Sequence, residues 1–236
     1  MEKFKKYVLN NKYFTWLQLP SNWLMQGIFH ADKTEKMYKI LFTVVLWGIA
    51  FFVLFFAFNV VLAKSLIIGF LIAHTLNWFI NNNLYVLLVH RMRWLHTTKP
   101  ELFNQLEYIQ NRLEKISNKN WILYSVSHGG ICKGTLSSHS DIDVSLIRKP
   151  GLKNMFHAVI FYIKEKKYAD LNGVPLDIFI CDTPRNCIDR SKGQKNPIVL
   201  MDHEDKVDYF YPDKLKISID EAKILNGEVP KKTEGD

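Results

Sequence analysis

The chain has 236 residues, 48% of them apolar, with a net charge of +8. That is enough to bury a sizeable core as one or two domains, but the apolar residues crowd into the first third, which argues against a fully soluble protein. Charge is as uneven: residues 1–99 hold 11 Lys and Arg against 3 Asp and Glu, whereas residues 100–236 hold 20 of each, so the basic excess flanks the apolar runs instead of forming a nucleic-acid-binding face. The three cysteines, Cys132, Cys181 and Cys187, lack zinc-ligand spacing and suit a reducing compartment, suggesting neither a disulfide framework nor a zinc site.

Residues 1–39 form a leader that is basic at Lys3, Lys5, Lys6, Lys12, Lys33, Lys36 and Lys39. Its uncharged stretch Tyr13 to Phe29, with Trp16 and Trp23, reads as an interfacial segment at headgroup level, packing against the soluble domain being the alternative. Ile40 to Ala63 carries no charge and is long enough to cross a bilayer, and the long polar leader before it does not suit a cleaved signal peptide. A second run, 66–89, is interrupted by His74, Asn77 and the triplet Asn81, Asn82, Asn83, and reads either as a second span or as a re-entrant segment. The asparagines suit helix-to-helix hydrogen bonding within a hairpin or a homo-oligomer, or else a polar groove for a lipid headgroup. Basic residues on both outer flanks, including Arg91, Arg93 and Lys99, predict a two-span hairpin over 40–90 with both ends in the cytoplasm.

Residues 100–212 read as a soluble domain of the α/β (α+β) class, a small mixed sheet with flanking helices. Leu102, Leu106, Ile109, Leu113 and Ile116 predict a helix ending near Asn118, followed by a strand from Trp121 to Val126. After His128-Gly129-Gly130 and a short helical turn, a second strand runs through Ile142, Val144, Leu146 and Ile147. A helix marked by Met155, Phe156, Val159, Ile160 and Ile163 leads through Asn172-Gly173 to a third strand, Val174 to Cys181. A strand pair is expected at Ile198–Met201 and Val207–Tyr211, and residues 213–236 read as a charged tail, frayed from Pro230.

Within this pattern Asp141 and Asp143, two apart on a strand, present carboxylates to one face while Ile142 and Val144 face the core. Asp177 sits inside an apolar strand, where a carboxylate is costly to bury unless a cation meets it. An adjacent strand, about 4.8 Å away, could bring it to the same metal ion, and hard oxygen ligands of this kind suit Mg²⁺. His128 and His139 read as packing or solvent residues, Cys132 as a small buried residue, and Ser137 and Ser138 as polar loop.

The run Ser127-His128-Gly129-Gly130-Ile131-Cys132-Lys133-Gly134-Thr135, then Ser140-Asp141-Ile142-Asp143-Val144 and later Leu176-Asp177-Ile178, resembles the signature of the DNA polymerase beta-type nucleotidyltransferase superfamily, in its small, minimal members. Lys133 stands where that signature more often has arginine, and Gly130 where serine is frequent. The resemblance covers about residues 121–182 and is silent on the hairpin. It implies a nucleotidyltransferase fold in which Asp141 and Asp143 hold two Mg²⁺ ions and Asp177 holds the one that acidifies the acceptor hydroxyl. Gly129, Gly130, Lys133, Gly134 and Ser140 would then form the NTP-binding loop.

The expected function is thus that of a membrane-anchored, Mg²⁺-dependent enzyme that transfers a nucleoside monophosphate from an NTP, such as ATP, to an acceptor and releases pyrophosphate. The charge-neutral domain and the few residues after Asp182 disfavour a nucleic-acid acceptor. A small molecule, a protein side chain such as one on the partner of a toxin or defence system, or a lipid-linked group is expected instead, the membrane anchor favouring the lipid-linked or glycan-pathway group. The alternative is a non-catalytic nucleotide-binding sensor or membrane scaffold that keeps the fold.

Overall fold

The computed structural model describes residues 16–26, 28, 31–81, 84–116, 121–190, 196–202, 204–212 and 215–228. They fall into two compact units, 1–84 and 85–236.

In the first unit, α1 (Gln18–Met25) precedes α2 (Lys33–Phe52), which unwinds through a π-turn at Val53–Ala57 and returns as α3 (Leu62–Asn81). Lys33–Ala57 is 25 residues and Leu62–Asn81 is 20, both long and apolar enough to cross a membrane. At 1.5 Å per residue the 20-residue helix matches a hydrocarbon core of roughly 30 Å. Ile40, Leu41, Val44, Val45, Ile49, Phe52 and Phe56 of the first span are all more than half exposed, unlike the core helix of a soluble protein. Gly69 lets the backbones approach, since a Cβ there would lie 3.2 Å from the Phe51 amide nitrogen.

Polar groups gather at one end of this hairpin and satisfy one another. Asn77 Nδ2 donates to Gln26 Oε1 at 2.9 Å and to Thr43 Oγ1 at 2.7 Å, and Asn81 Nδ2 donates to Asn77 Oδ1 at 2.6 Å. Lys39 pairs with Glu35 at 2.7 Å, and Tyr38 donates to Asn81. The leader helix joins this network: Trp23 Nε1 donates to Thr75 Oγ1 at 3.1 Å, Gln26 Nε2 to the His74 carbonyl at 2.7 Å, and Trp78 Nε1 to Asn22 Oδ1 at 2.8 Å. Residues 18–25 therefore pack on α3. Asn77 and Asn81 act as hydrogen-bonding glue, while Tyr13, Phe14, Phe29, Asn82 and Asn83 lie outside the described residues. The described part of the second long helix runs to Asn81, and beyond Asn82 and Asn83 the chain is helical at Leu84–Val86 and forms a π-turn at Leu87–Arg91.

The second unit is α+β, with a four-stranded mixed sheet and flanking helices. After α4 (Lys99–Ile116) come β1 (Ile122–His128), a 3₁₀ turn (Gly130–Lys133), β2 (Ile142–Arg148), α5 (Leu152–Leu171) and β3 (Leu176–Cys181). Then follow α6 (Pro184–Arg190), β4 (Ile198–Asp202), α7 (Lys206–Phe210) and α8 (Ile219–Leu225). The sheet order is β3-β2-β1-β4; β2 and β3 run parallel, and the other pairs antiparallel. Alternation along the strands sends fully buried Ile142, Val144 and Leu146 of β2, with Leu176, Ile178 and Ile180 of β3, to the face covered by α5. On the opposite face Tyr124, Val126, Ile147 and Cys181 pack against Cys187, Val207 and Tyr211, which lie on or beside α6 and α7.

Three expectations are corrected here. Residues 207–210 are helical and Tyr211 follows the helix, so 207–211 is not a strand: the Asp202 carboxylate accepts the amide N–H groups of Lys206 at 2.9 Å and Val207 at 2.8 Å, turning the backbone into a helix. The segment read as a charged tail contains α8, started by a capping box between Ser218 and Glu221. The third strand begins at Leu176, after Pro175, which has no amide N–H to give to a ladder. Asn118 and the residues from Pro230 lie outside the described residues.

Because Asn77 is the junction of the hairpin's polar network, Asn77→Leu removes its hydrogen bonds with Gln26, Thr43 and Asn81. We expect it to lower unfolding stability by about 1–2 kcal/mol in mild detergent, read by steric trapping.

Candidate functional site

β1 ends and β2 and β3 begin at the same end of the sheet, which brings the sequence-predicted residues together. His128 on β1 is level with Asp143 on β2, and Asp143 is level with Asp177 on β3. Residues in register across paired strands point to one face, so Asp143 and Asp177 stand side by side, with Asp141 just before β2. Gly129 has φ +95°, and a Cβ on it would lie 2.8 Å from Asp143 Oδ2. The motif's first glycine thus answers both a backbone demand and a close approach to a carboxylate.

These charges act on one another. Burial pushes the Asp143 carboxyl well above the usual carboxylate range, Asp141 and Asp177 push it further by repulsion, and Lys133 opposes them. Among the described residues, no three His, Cys, Asp or Glu side chains stand close enough to enclose a metal ion as they are. The donor set nevertheless fits a hard divalent cation: the side chains are oxygen donors, they are crowded, and the central one is partly buried beside two other carboxylates.

The loop between β1 and β2 is a four-residue 3₁₀ turn at Gly130–Lys133, in place of the start of an α-helix. Gly134 follows with φ +70°, and a Cβ there would lie 2.6 Å from the Leu225 carbonyl oxygen, so this glycine serves contact with α8 as well as the turn. Gly130 is under no such constraint, since its Cβ would meet Thr135 Oγ1 at an ordinary 3.5 Å. Lys133 is exposed. Ser140 is used within the loop, its Oγ accepting the Ser137 amide N–H at 2.9 Å. Cys132 is buried, and its Sγ donates to the Ser127 carbonyl at 3.3 Å; burial pushes its thiol up to about 12, which makes it a packing residue and no nucleophile. His128 is buried with its ring against Tyr211.

Two neighbours of the site escaped sequence reasoning. His90 Nδ1 lies 2.9 Å from the His139 carbonyl oxygen and 3.6 Å from Asp141 Oδ1. Thr97 N donates to the Ser138 carbonyl at 2.9 Å, and the His96 ring packs on that of His139, so residues 90–97 line the loop that leads to Asp141. Asn226 reaches the glycine loop from the end of α8. Both lie far in sequence from the motif, and only the Asn226-Gly227 helix-stop signal was available to mark either.

The protein therefore joins an α+β domain, with carboxylates clustered at one end of a mixed sheet, to a pair of helices long and apolar enough to cross a membrane. Compared with protein-family models, curated proteins and solved structures, it matches none of them.

The carboxylate crowding has a pH signature. The Asp143 carboxyl ionises near 3.8 in an ordinary setting and at higher pH in the fold, so above the ordinary value the folded state binds more protons than the unfolded one. Its contribution to stability is full below the ordinary value and is lost as pH rises. In EDTA, Asp143→Asn should gain on wild type in thermal melts as pH is raised from about 4 to about 7; a difference flat with pH contradicts the crowding.

Proposed function

We propose that this protein is a membrane-anchored nucleotidyltransferase of the DNA polymerase beta type. It moves a nucleoside monophosphate from an NTP to an acceptor hydroxyl and releases pyrophosphate. The observation that carries the reading is the register of Asp143 with Asp177, with Asp141 just before it and the side-chain-free Gly129 against the Asp143 carboxylate.

The fold assignment within the α+β class rests on the same residues. Gly129 and Gly130 leave room for phosphate to approach the backbone, and the exposed Lys133 offsets its charge. The acceptor oxygen attacks the α-phosphorus. The bond from that phosphorus to the bridging oxygen breaks, and its electron pair leaves with pyrophosphate. Asp177 receives the hydroxyl proton. Asp141, Asp143 and Asp177 would hold Mg²⁺, two ions in all, whose chemistry is to neutralise phosphate charge and acidify the acceptor hydroxyl.

An acceptor held at the membrane, lipid-linked or from a glycan pathway, is favoured over nucleic acid. An anchor raises the local concentration of such acceptors, and the segment following the second apolar helix supplies His90 against Asp141. A protein acceptor is the next choice. Basic flanks on both sides of the hairpin support an integral membrane protein with two spans and a cytoplasmic domain.

The test is transfer of label from each α-³²P NTP with Mg²⁺, with and without membrane lipid. Wild type should label lipid, protein or a soluble product, and the Asp141→Asn, Asp143→Asn double variant should lose at least about 100-fold. Tight Mg-NTP binding without any transfer favours the sensor reading instead. Topology is checked separately. The native thiols are buried, so Lys64→Cys and Lys115→Cys report alone, and a membrane-impermeant maleimide should label the first and second from opposite sides. Labelling of both from one side overturns the two-span reading.

A further inference from the structure

Asn226 closes α8 and is 4% exposed. Its side chain reaches both ends of the glycine loop at once. Oδ1 accepts the Leu136 amide N–H at 3.1 Å, and Nδ2 donates to the Ile131 carbonyl at 2.9 Å and to the Ala222 carbonyl at 2.8 Å. Lys99 Nζ donates to the Asn226 carbonyl at 2.6 Å, tying the same point to the start of α4. The loop residues Cys132 to Thr135 lie between the two gripped positions, and Gly134 sits against the Leu225 carbonyl, where no side chain would fit.

A side-chain amide carries an acceptor and two donors on one rigid plane, so it can take a backbone N–H and give to two backbone carbonyls at once. Aspartate would keep the first contact and set a negative charge against the Ile131 carbonyl; alanine would lose both. Resting on the nucleotidyltransferase reading, we propose that Asn226 is a positioning residue: it clamps the glycine loop in the shape that receives the nucleotide's phosphates, making α8 a working part of the site. The residue acts through backbone atoms of Ile131 and Leu136, and through them on Gly129, Gly130 and Lys133.

The test compares full-length wild type, Asn226→Ala, Asn226→Asp and Lys223→Met in mild detergent, below the melting point of each. Lys223 pairs with Glu107 and fastens the same helix to α4 without touching the loop, so its variant controls for loosening of α8. Hydrogen exchange of the peptide covering residues 131–136 reads the clamp, and Mg-ATP and Mg-GTP dissociation constants read its consequence. Both Asn226 variants should speed exchange and weaken the tighter nucleotide by about tenfold or more, with Lys223→Met within about twofold of wild type. Should the alanine variant not fold, the isosteric aspartate variant carries the test. Equal effects in Lys223→Met, or unchanged exchange in the Asn226 variants, overturn the proposal. If wild type binds neither nucleotide, nor Mg-CTP or Mg-UTP, while exchange still rises in the Asn226 variants, the nucleotidyltransferase reading has failed and the clamp stands as loop architecture only. If wild type binds and the Asn226 variants bind equally well, the positioning role alone has failed.

Discussion

Parallel pairing of β2 with β3 places the Asp143 carboxyl beside Asp177 at the end of the sheet, and Asp141, two positions earlier, crowds it. Burial and the two neighbouring carboxylates raise the Asp143 pKa above the usual carboxylate range. The buried face of Ile142, Val144, Leu146, Leu176, Ile178 and Ile180 anchors both strands beneath α5, which leaves the opposite face free to carry polar groups at its end. The backbone accommodates the cluster as well, since Gly129 passes a carboxylate at a distance no side chain would allow. Repulsion of this kind is what a cation would relieve, and the proposed Mg²⁺-dependent chemistry rests on it.

A different constraint governs the first unit. Surfaces such as Ile40, Val44, Val45 and Phe56 are exposed on a helix long and apolar enough to cross a membrane, a face that water solvates poorly. Its polar side chains are accordingly drawn to one end, where Gln26, Lys39, Asn77 and Asn81 bond to one another. Helix α1 is part of that arrangement because its tryptophan and asparagine side chains complete hydrogen bonds that the two long helices alone would leave open.

Much of this was readable along the sequence. Asp141 and Asp143 stand two apart with apolar residues at alternate positions, and Asp177 interrupts an apolar strand, so their convergence at one sheet end followed from strand geometry once the strands were neighbours. Asn77 and Asn81 were readable as glue because amides in apolar helices need partners. Other features were hidden for identifiable reasons. Val207 to Tyr211 has strand-like composition, and the Asp202 carboxylate overrode it by capping a helix. The Ser218 to Glu221 box was present in the sequence, but the charge of the surrounding segment masked it. His90 and Asn226 touch the site from 51 and 85 residues away from Asp141, a relation no local pattern encodes.

By itself the sequence determined the two apolar segments, the alternation that sorts strand faces, and the glycines and carboxylates of the motif. These depend on residue spacing within a few positions and on the length of an apolar run, both properties of the polypeptide in one dimension. Tertiary structure alone decided which residue of α1 meets which of α3. It also decided that the C-terminal helix grips the glycine loop and that His90 stands by Asp141. Those contacts join residues whose separation in sequence says nothing about their distance in space; packing and strand register bring them together.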